Sequence, residues 1–429
     1  MRASQQLRLQ GAGITQPSHE LQLFKTLALF LMLPSFLEAI DSRFLISIPW
    51  SPLSLGRLCF VGCGFIGILT ADRTILSTKT ARGIILIGLG ATIGSVFAQS
   101  MEEGVSKGLG FLVLCFGAVG FGFILHETRA RRALDLFFVV LIAYWYLYVA
   151  NLAFRSGFGS YGEMFMGGRG DVLNHHIPGM YISVSSCFIG VRYFMKEGHL
   201  SIIGYLIIIL GIISCMYIES RSNFLAMSIS LIVIMFSQKR SRKMALLLVP
   251  VIAFVYYILN IVASNQEAIA QRFDIYDRDY QMRTSESRFW LMKAALQAFI
   301  ANPFGMGFDD IKLGFMGGRY LVHNQYITFT LAGGVLAVVG TFVWLKEAFV
   351  VLRKMLFGWR FERRPESVAI AMALLVFMVT LLTIEWTDLL FFILISMLVY
   401  LSGRFYDLQS EWAEAPLGAQ RGGTRFENR

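Results

Sequence analysis

The chain has 429 residues, 56% of them hydrophobic and 15% charged, with a mean hydropathy of +0.61. A soluble domain of this length needs far more charged surface, and the net charge of +10 has no basic soluble domain in which to hold nucleic acid. The five cysteines (Cys59, Cys63, Cys115, Cys187 and Cys215) all fall inside apolar stretches, which excludes a disulfide framework in the connections and leaves small buried thiols.

In chain order, Met1–Glu20 is a polar tail. Twelve apolar blocks follow, long enough or nearly so to span a bilayer: Leu23–Ile40, Leu53–Thr70, Gly83–Ala98, Gly108–Leu125, Leu134–Phe154, Ile177–Met195, Leu200–Ile218, Phe224–Phe236, Met244–Val262, Leu321–Trp344, Ser367–Ile384 and Leu389–Leu401. Backbone groups in lipid must be satisfied internally, so these are expected to be helices. The expected fold is all-α: a single polytopic transmembrane domain over 21–402. Its first block is too long for a cleaved leader and no small-residue cleavage site follows it. Residues 403–429 form a second tail, and Gln409–Arg429 has the mixed charge and missing apolar period of a disordered segment.

Charge sets the orientation. Arg73, Lys79 and Arg82 follow the second block; Arg129, Arg131 and Arg132 the fourth; Arg192 and Lys196 the sixth; Lys239, Arg240, Arg242 and Lys243 the eighth. Lys346, Arg353, Lys354, Arg360, Arg363 and Arg364 follow the tenth, and Arg2, Arg8 and Lys25 precede the first. Every even-numbered connection is basic, so both termini are expected in the cytoplasm.

Two external connections are long. Residues 154–174 are glycine-rich, with Arg169 in Gly167-Gly168-Arg169-Gly170. Residues 264–320 are polar and arginine-rich, on the side where basic residues are not needed for topology. Within the second, Ser285–Ile300 sets Phe289, Met292, Ala295, Leu296 and Phe299 at helical spacing, an amphipathic helix against the membrane or the bundle. Asn302-Pro303 stops it, and Gly305, Gly307, Gly314, Gly317 and Gly318 allow an irregular path onward.

The outer interface collects the candidate chemistry. Arg221 opens the eighth block, Arg288 sits on the amphipathic helix, and His323 opens the tenth. Singly, each has a plain reading as a snorkelling or solvated interfacial residue. Together they combine guanidinium forks suited to phosphate oxygens with an imidazole suited to proton transfer near neutral pH. Arg169, His175 and His176 form a second polar cluster, able to bind an acceptor or an anion or simply to mark the interface. Asp277-Arg278-Asp279 has the spacing of a divalent-metal carboxylate pair but reads as solvated loop, and no metal or other cofactor is expected. Glu385 and Asp388 flank Trp386 in the last external turn, where they bind sugar hydroxyls or mark the interface.

The ordered motifs Ser220-Arg221-Ser222, then Arg288-Phe289-Trp290 with Asn302-Pro303-Phe304-Gly305-Met306-Gly307, then His323-Asn324-Gln325-Tyr326 with Gly333-Gly334, resemble the superfamily of bacterial O-antigen ligases and polymerases, over about residues 204–341. The resemblance implies a twelve-span bundle of the GT-C glycosyltransferase type and an active site on the periplasmic side of the inner membrane. It implies a donor glycan on undecaprenyl diphosphate and an acceptor sugar on lipid A core or a growing polysaccharide, with membrane lipids around. It implies Arg221, Arg288 and His323 as catalytic residues; Asn324, beside His323, and the separate cluster of Arg169, His175 and His176 are the substrate-binding candidates. Arg155 and Arg272 lack the glycine that completes the paired motifs of some O-antigen polymerases, which favours a ligase or a ligase-like exopolysaccharide polymerase. The contrasting class is a transporter such as a lipid-linked oligosaccharide flippase. Such proteins place ionisable residues at the midplane and repeat internally, whereas here they crowd the outer interface.

Overall fold

The computed structural model describes residues 19–41, 44–48, 51, 53–71, 77–98, 100–156, 176–196, 199–218, 220–237, 278–308, 313–315, 318–320, 324–357, 365–382 and 388–414. Apolar sequence in these segments folds into α1 (His19–Ile40), α2 (Leu55–Thr70), α3 (Lys79–Ser95), α4 (Met101–Ile124), α5 (Thr128–Ser156) and α6 (His176–Phe194). There follow α7 (His199–Tyr217), α8 (Arg221–Ser237), α9 (Arg278–Ala301), β1 (Leu313–Phe315), β2 (Gly318–Tyr320), α10 (Gln325–Phe357), α11 (Pro365–Thr380) and α12 (Leu389–Glu414). Eleven of the twelve expected blocks coincide with described helices; the ninth, Met244–Val262, lies outside the described residues. Among the described helices, six are long and apolar enough to cross a membrane: α1, α4, α5, α7, α10 and α12. The protein is therefore a polytopic membrane protein.

Close helix packing rests on small residues. Gly83, Gly90 and Gly94 of α3 face Gly340, Gly333 and Ala332 of α10, so the two helices run antiparallel with their backbones in contact. A Cβ at Gly90 would stand 2.7 Å from the Gly333 carbonyl oxygen. Gly64 and Gly67 of α2 meet Gly117 and Gly120 of α4 with an equally close backbone approach, in a parallel pair. The buried α12 packs on α4 and α11, with Phe391 and Phe392 in a ring network that includes Phe60, Phe111, Phe329 and Phe377.

One end of the bundle holds the C-termini of α1, α5 and α11 and the N-termini of α2, α6, α8, α10 and α12; it is called outer here after the charge bias. The opposite end is clamped by ion pairs: Lys25 with Glu127, Arg192 with Asp135, and Arg131 with Glu366 at 2.9 Å. Arg192, counted from sequence as a loop charge, is thus half-buried against a carboxylate inside α5.

Three features differ from expectation. The loop after Pro303 holds a small antiparallel hairpin, Leu313 pairing with Tyr320 and Phe315 with Gly318, so the fold is not purely helical. The loop helix begins at Arg278 rather than Ser285, because nothing between them breaks a helix. Helix α12 runs on to Glu414, beyond the Gln409 at which disorder was expected; Gln, Glu and Ala favour helix there, and Pro416 follows just past its end.

Candidate functional site

Helix α8 starts in the sequence Ser220-Arg221-Ser222-Asn223, and this turn is fastened from three sides. Ser220 N–H donates to the Cys215 carbonyl at 2.9 Å, and Phe224 N–H to the Ser220 carbonyl at 3.0 Å. Asn223 is fully buried and acts as the hub. Its Nδ2 donates to Ser220 Oγ at 2.6 Å, while its Oδ1 accepts from Ser183 Oγ of α6 at 3.4 Å and from Thr380 Oγ1 of α11 at 3.2 Å. Gly179 of α6 leaves the room: a Cβ there would stand 2.6 Å from both Asn223 Nδ2 and Ser220 Oγ. The first residue of α8, Arg221, is therefore held by a buried polar network rather than by a loop.

Helix α10 starts next to the same place. Asn324 caps it, with Oδ1 accepting from Tyr326 N–H at 3.0 Å and Ile327 N–H at 3.2 Å. The other half of the amide, Nδ2, donates to the Leu382 carbonyl at 3.0 Å, and Gln325 N–H donates to the Leu381 carbonyl at 3.0 Å. Thr380 thus holds the start of α8, and Leu381 and Leu382 hold the start of α10. Two motifs about a hundred residues apart meet on one turn at the end of α11.

The third motif reaches the site from below. Gly334 breaks α10 at φ 58° and ψ −148°. The segment after α9 fills the break: Met306 N–H donates to the Leu331 carbonyl (2.9 Å), Gly307 N–H to the Ala332 carbonyl (3.1 Å), and Val335 N–H to the Pro303 carbonyl (2.8 Å). Gly305, Gly307 and Gly334 are the glycines with positive φ among the described residues, and all three lie in this junction. Phe304 stacks on Phe97 and Phe308 packs on Phe111, so the loop dips between α3, α4 and α10. Irregular backbone at such depth survives only where protein satisfies it, as here. Helix α9 buries Leu291 and Ala295 and turns Phe289, Met292, Leu296 and Ile300 outward, so the expected apolar stripe is split: Ala295 and Phe299 pack on the core and Phe289, Met292 and Leu296 face away from it.

Placement of the candidate residues is uneven. Arg221 and Arg288 have defined backbone positions at the head of α8 and on α9, and His176 at the head of α6; their side chains lie outside the described residues. Arg169, His175, His323, Asp277 and Glu385 lie outside them altogether, and Asp279 is placed only as backbone in the first turn of α9. Asn324 is placed in full, and both ends of its amide serve backbone. Among the described residues, no group of three or more His, Cys, Asp or Glu is set to hold a metal ion.

The same end holds polar residues that the sequence reading passed over, one of them paired with Asp388, which it had named. Tyr144 donates to Asp41, Tyr181 donates to Asp388, and Trp145 stacks on Tyr181 with centroids 5.3 Å apart while its Nε1 donates to the Ile40 carbonyl at 3.1 Å. Asp388 Oδ1 also caps α12 through Phe391 N–H at 3.3 Å. Glu38 is buried between Arg57 Nε (3.2 Å) and Ser54 Oγ (2.7 Å). A signal existed: Glu38 lies inside an apolar span and Asp41 at its edge, and ionisable residues in a span call for an explanation.

A cavity of about 640 Å³, lined by Lys25, Thr70, His126 and Arg129 among others, opens at the opposite end. It has no part in this arrangement. The chemistry available at the outer end is that of anion binding. Helices α6, α8, α10 and α12 begin there with the positive ends of their dipoles, those of α10 and α12 capped by Asn324 and Asp388, and Arg221 stands in the first turn of α8.

Residues 206–342 match a family model described as O-antigen ligase, a segment that contains all three motifs. No curated protein matches the chain.

Proposed function

We propose, on the premise that residues 206–342 form a domain of the O-antigen ligase family, that this membrane protein is a glycosyltransferase of surface polysaccharide assembly. It moves a glycan from undecaprenyl diphosphate to a sugar hydroxyl, on the periplasmic side of the inner membrane. The observation that carries the reading is the meeting of the α8 and α10 starts on the last turn of α11. This meeting supports a reading in which Arg221, at the start of α8, and His323, just before Asn324, serve one site.

The step needs little machinery. The acceptor oxygen attacks the anomeric carbon, the bond from that carbon to the diphosphate oxygen breaks, and the electron pair leaves with the diphosphate. Arg221 and Arg288 neutralise the charge that develops on the leaving group, as fixed cations in a water-poor site do best. His323 takes the proton of the acceptor hydroxyl as general base. Asn324 acts through His323: a side chain that caps α10 and grips Leu382 fixes the direction in which the preceding residue enters. Displacement from the far side inverts the anomeric centre, and the arginines do the work a metal does elsewhere. Arg169, His175 and His176 are the acceptor-side candidates, with lipid A core or a growing polysaccharide as acceptor.

The test is transfer from lipid-linked donor by purified protein at matched amounts. His323→Ala is expected to lose transfer by at least about a hundredfold, the usual contribution of a general base, while retaining donor binding. Arg221→Lys is expected to be severely impaired although the charge is kept, because an ammonium cannot form the two-pronged contact to phosphate. Near-normal turnover by His323→Ala would remove the proposed base and with it the mechanism.

A further inference from the structure

At the end opposite the motifs, a cavity of about 410 Å³ opens between α3, α10 and α12. Lys79, Lys346 and Lys354 line it together with Phe342, Val350 and Phe405. Lys354 Nζ rests 4.6 Å from the centre of the Phe405 ring. One carboxylate, Glu347, is also present, but it is buried and its Oε1 already accepts from Tyr406 OH at 2.6 Å and Ser402 Oγ at 3.2 Å. Among the described residues, no carboxylate lies within ion-pair distance of the three ammonium groups.

Topology alone asks only that lysines stay on one side of the membrane. It does not ask that lysines from two helices share a cavity walled by phenylalanine and valine. The approach to the cavity is equally specific in character. Val335, Val338, Val339 and Phe342 form an exposed apolar face of α10 that leads along the helix to Lys346. An acyl chain suits that face, and a phosphate suits its lysine-lined end. Basic pockets between spans at the cytoplasmic surface have this chemistry for anionic lipid heads.

We propose that this cavity binds the phosphate head group of an anionic phospholipid of the cytoplasmic leaflet, with one acyl chain lying along Val338 and Phe342 of α10. It is separate from the proposed transfer site, since it lies at the other end of α10 from Asn324.

The experiment measures binding of a fluorescent phosphatidylglycerol to the full-length protein in neutral detergent, with phosphatidylcholine and inorganic phosphate as competitors. The double variant K346Q/K354Q is expected to bind on the order of thirtyfold more weakly, at about fivefold per lysine. K346R/K354R is expected to stay within a few-fold of wild type, and wild-type affinity is expected to fall as salt rises. Should K346Q/K354Q fail to fold, the salt dependence and the lipid competition on wild type decide. Equal binding by K346Q/K354Q, no salt dependence, or equal competition by phosphatidylcholine would overturn the proposal. Competition by millimolar inorganic phosphate as effective as that by phosphatidylglycerol would also overturn it, by showing a soluble-anion site instead of a lipid site.

Discussion

Gly334→Ala tests whether the break in α10 is a built junction. At φ 58° and ψ −148°, the backbone of Gly334 sits where essentially only glycine resides, so a side chain there costs about 1–3 kcal/mol in strain. The added Cβ would also collide with the Pro303 carbonyl oxygen and the backbone of Phe304 and Gly305. These are backbone atoms, which cannot swing aside as a side chain can. Moving them disturbs the bonds from Met306 N–H, Gly307 N–H and Val335 N–H, and each buried group left unsatisfied costs about 1–3 kcal/mol. Strain plus one lost bond totals about 2–6 kcal/mol. The control is Gly110→Ala in α4, whose Cβ would meet only Leu53 Cδ2, at 3.5 Å. A helical glycine with that much room gains about 0.5–1 kcal/mol on becoming alanine. Thermal unfolding in detergent, followed by near-ultraviolet circular dichroism, should show Gly334→Ala well below wild type and Gly110→Ala at or above it. Unchanged unfolding and unchanged proteolysis of the 302–320 loop in Gly334→Ala would refute the junction.

Purified enzyme is expected to keep its transfer activity in chelator; loss that magnesium or manganese restores would bring Asp277 and Asp279 back as metal ligands. Reporter fusions after Lys243 and after Arg364 are expected to report cytoplasm, and one near Asp277 periplasm. A cytoplasmic signal at Asp277 would invert both the topology and the side of the proposed chemistry.

The helices were legible because apolar blocks of span length have one outcome in lipid, and their order in sequence survives in the bundle. Long-range polar pairings were not legible. Nothing in Ser220-Arg221-Ser222-Asn223 says that Asn223, rather than the arginine, is the structural centre, or that its partners are Ser183 and Thr380. The Asn302–Gly307 and Gly333-Gly334 motifs were visible separately. Only the backbone bonds between them explain why both are rich in glycine: one segment fills the gap in the other. Asn324 was read as a substrate contact from its place beside His323. Its amide turns out to cap one helix and hold another, a role that depends on where α11 ends. The side chains of Arg221 and Arg288 and the whole of His323 lie outside the described residues, and the proposal that they act together is argued from the backbone around them.

That backbone also constrains Arg288. Gly334 lies about 13 Å along α10 from Gln325, and Arg288 lies about 21 Å along α9 from Asn302, at 1.5 Å per residue. We propose that α9 rises as a rod beside α10 from this junction, an arrangement that returns Arg288 to the level of Asn324 and Arg221 or a little above it. The buried Leu291 and Ala295 fix which way the rod is turned. One alanine inserted after Ala294 leaves the docked end, from Ala295 through Gly307, in place and rotates everything before it by about 100°. Arg288 is then carried off the side it now occupies, and Leu291 leaves its contact at a cost of about 2 kcal/mol. The expected result is folded protein with a modestly lowered unfolding midpoint and transfer reduced as far as in Arg288→Ala. If the insertion variant transfers glycan at the wild-type rate, the orientation of α9 is irrelevant to the chemistry, and Arg288 is a surface residue.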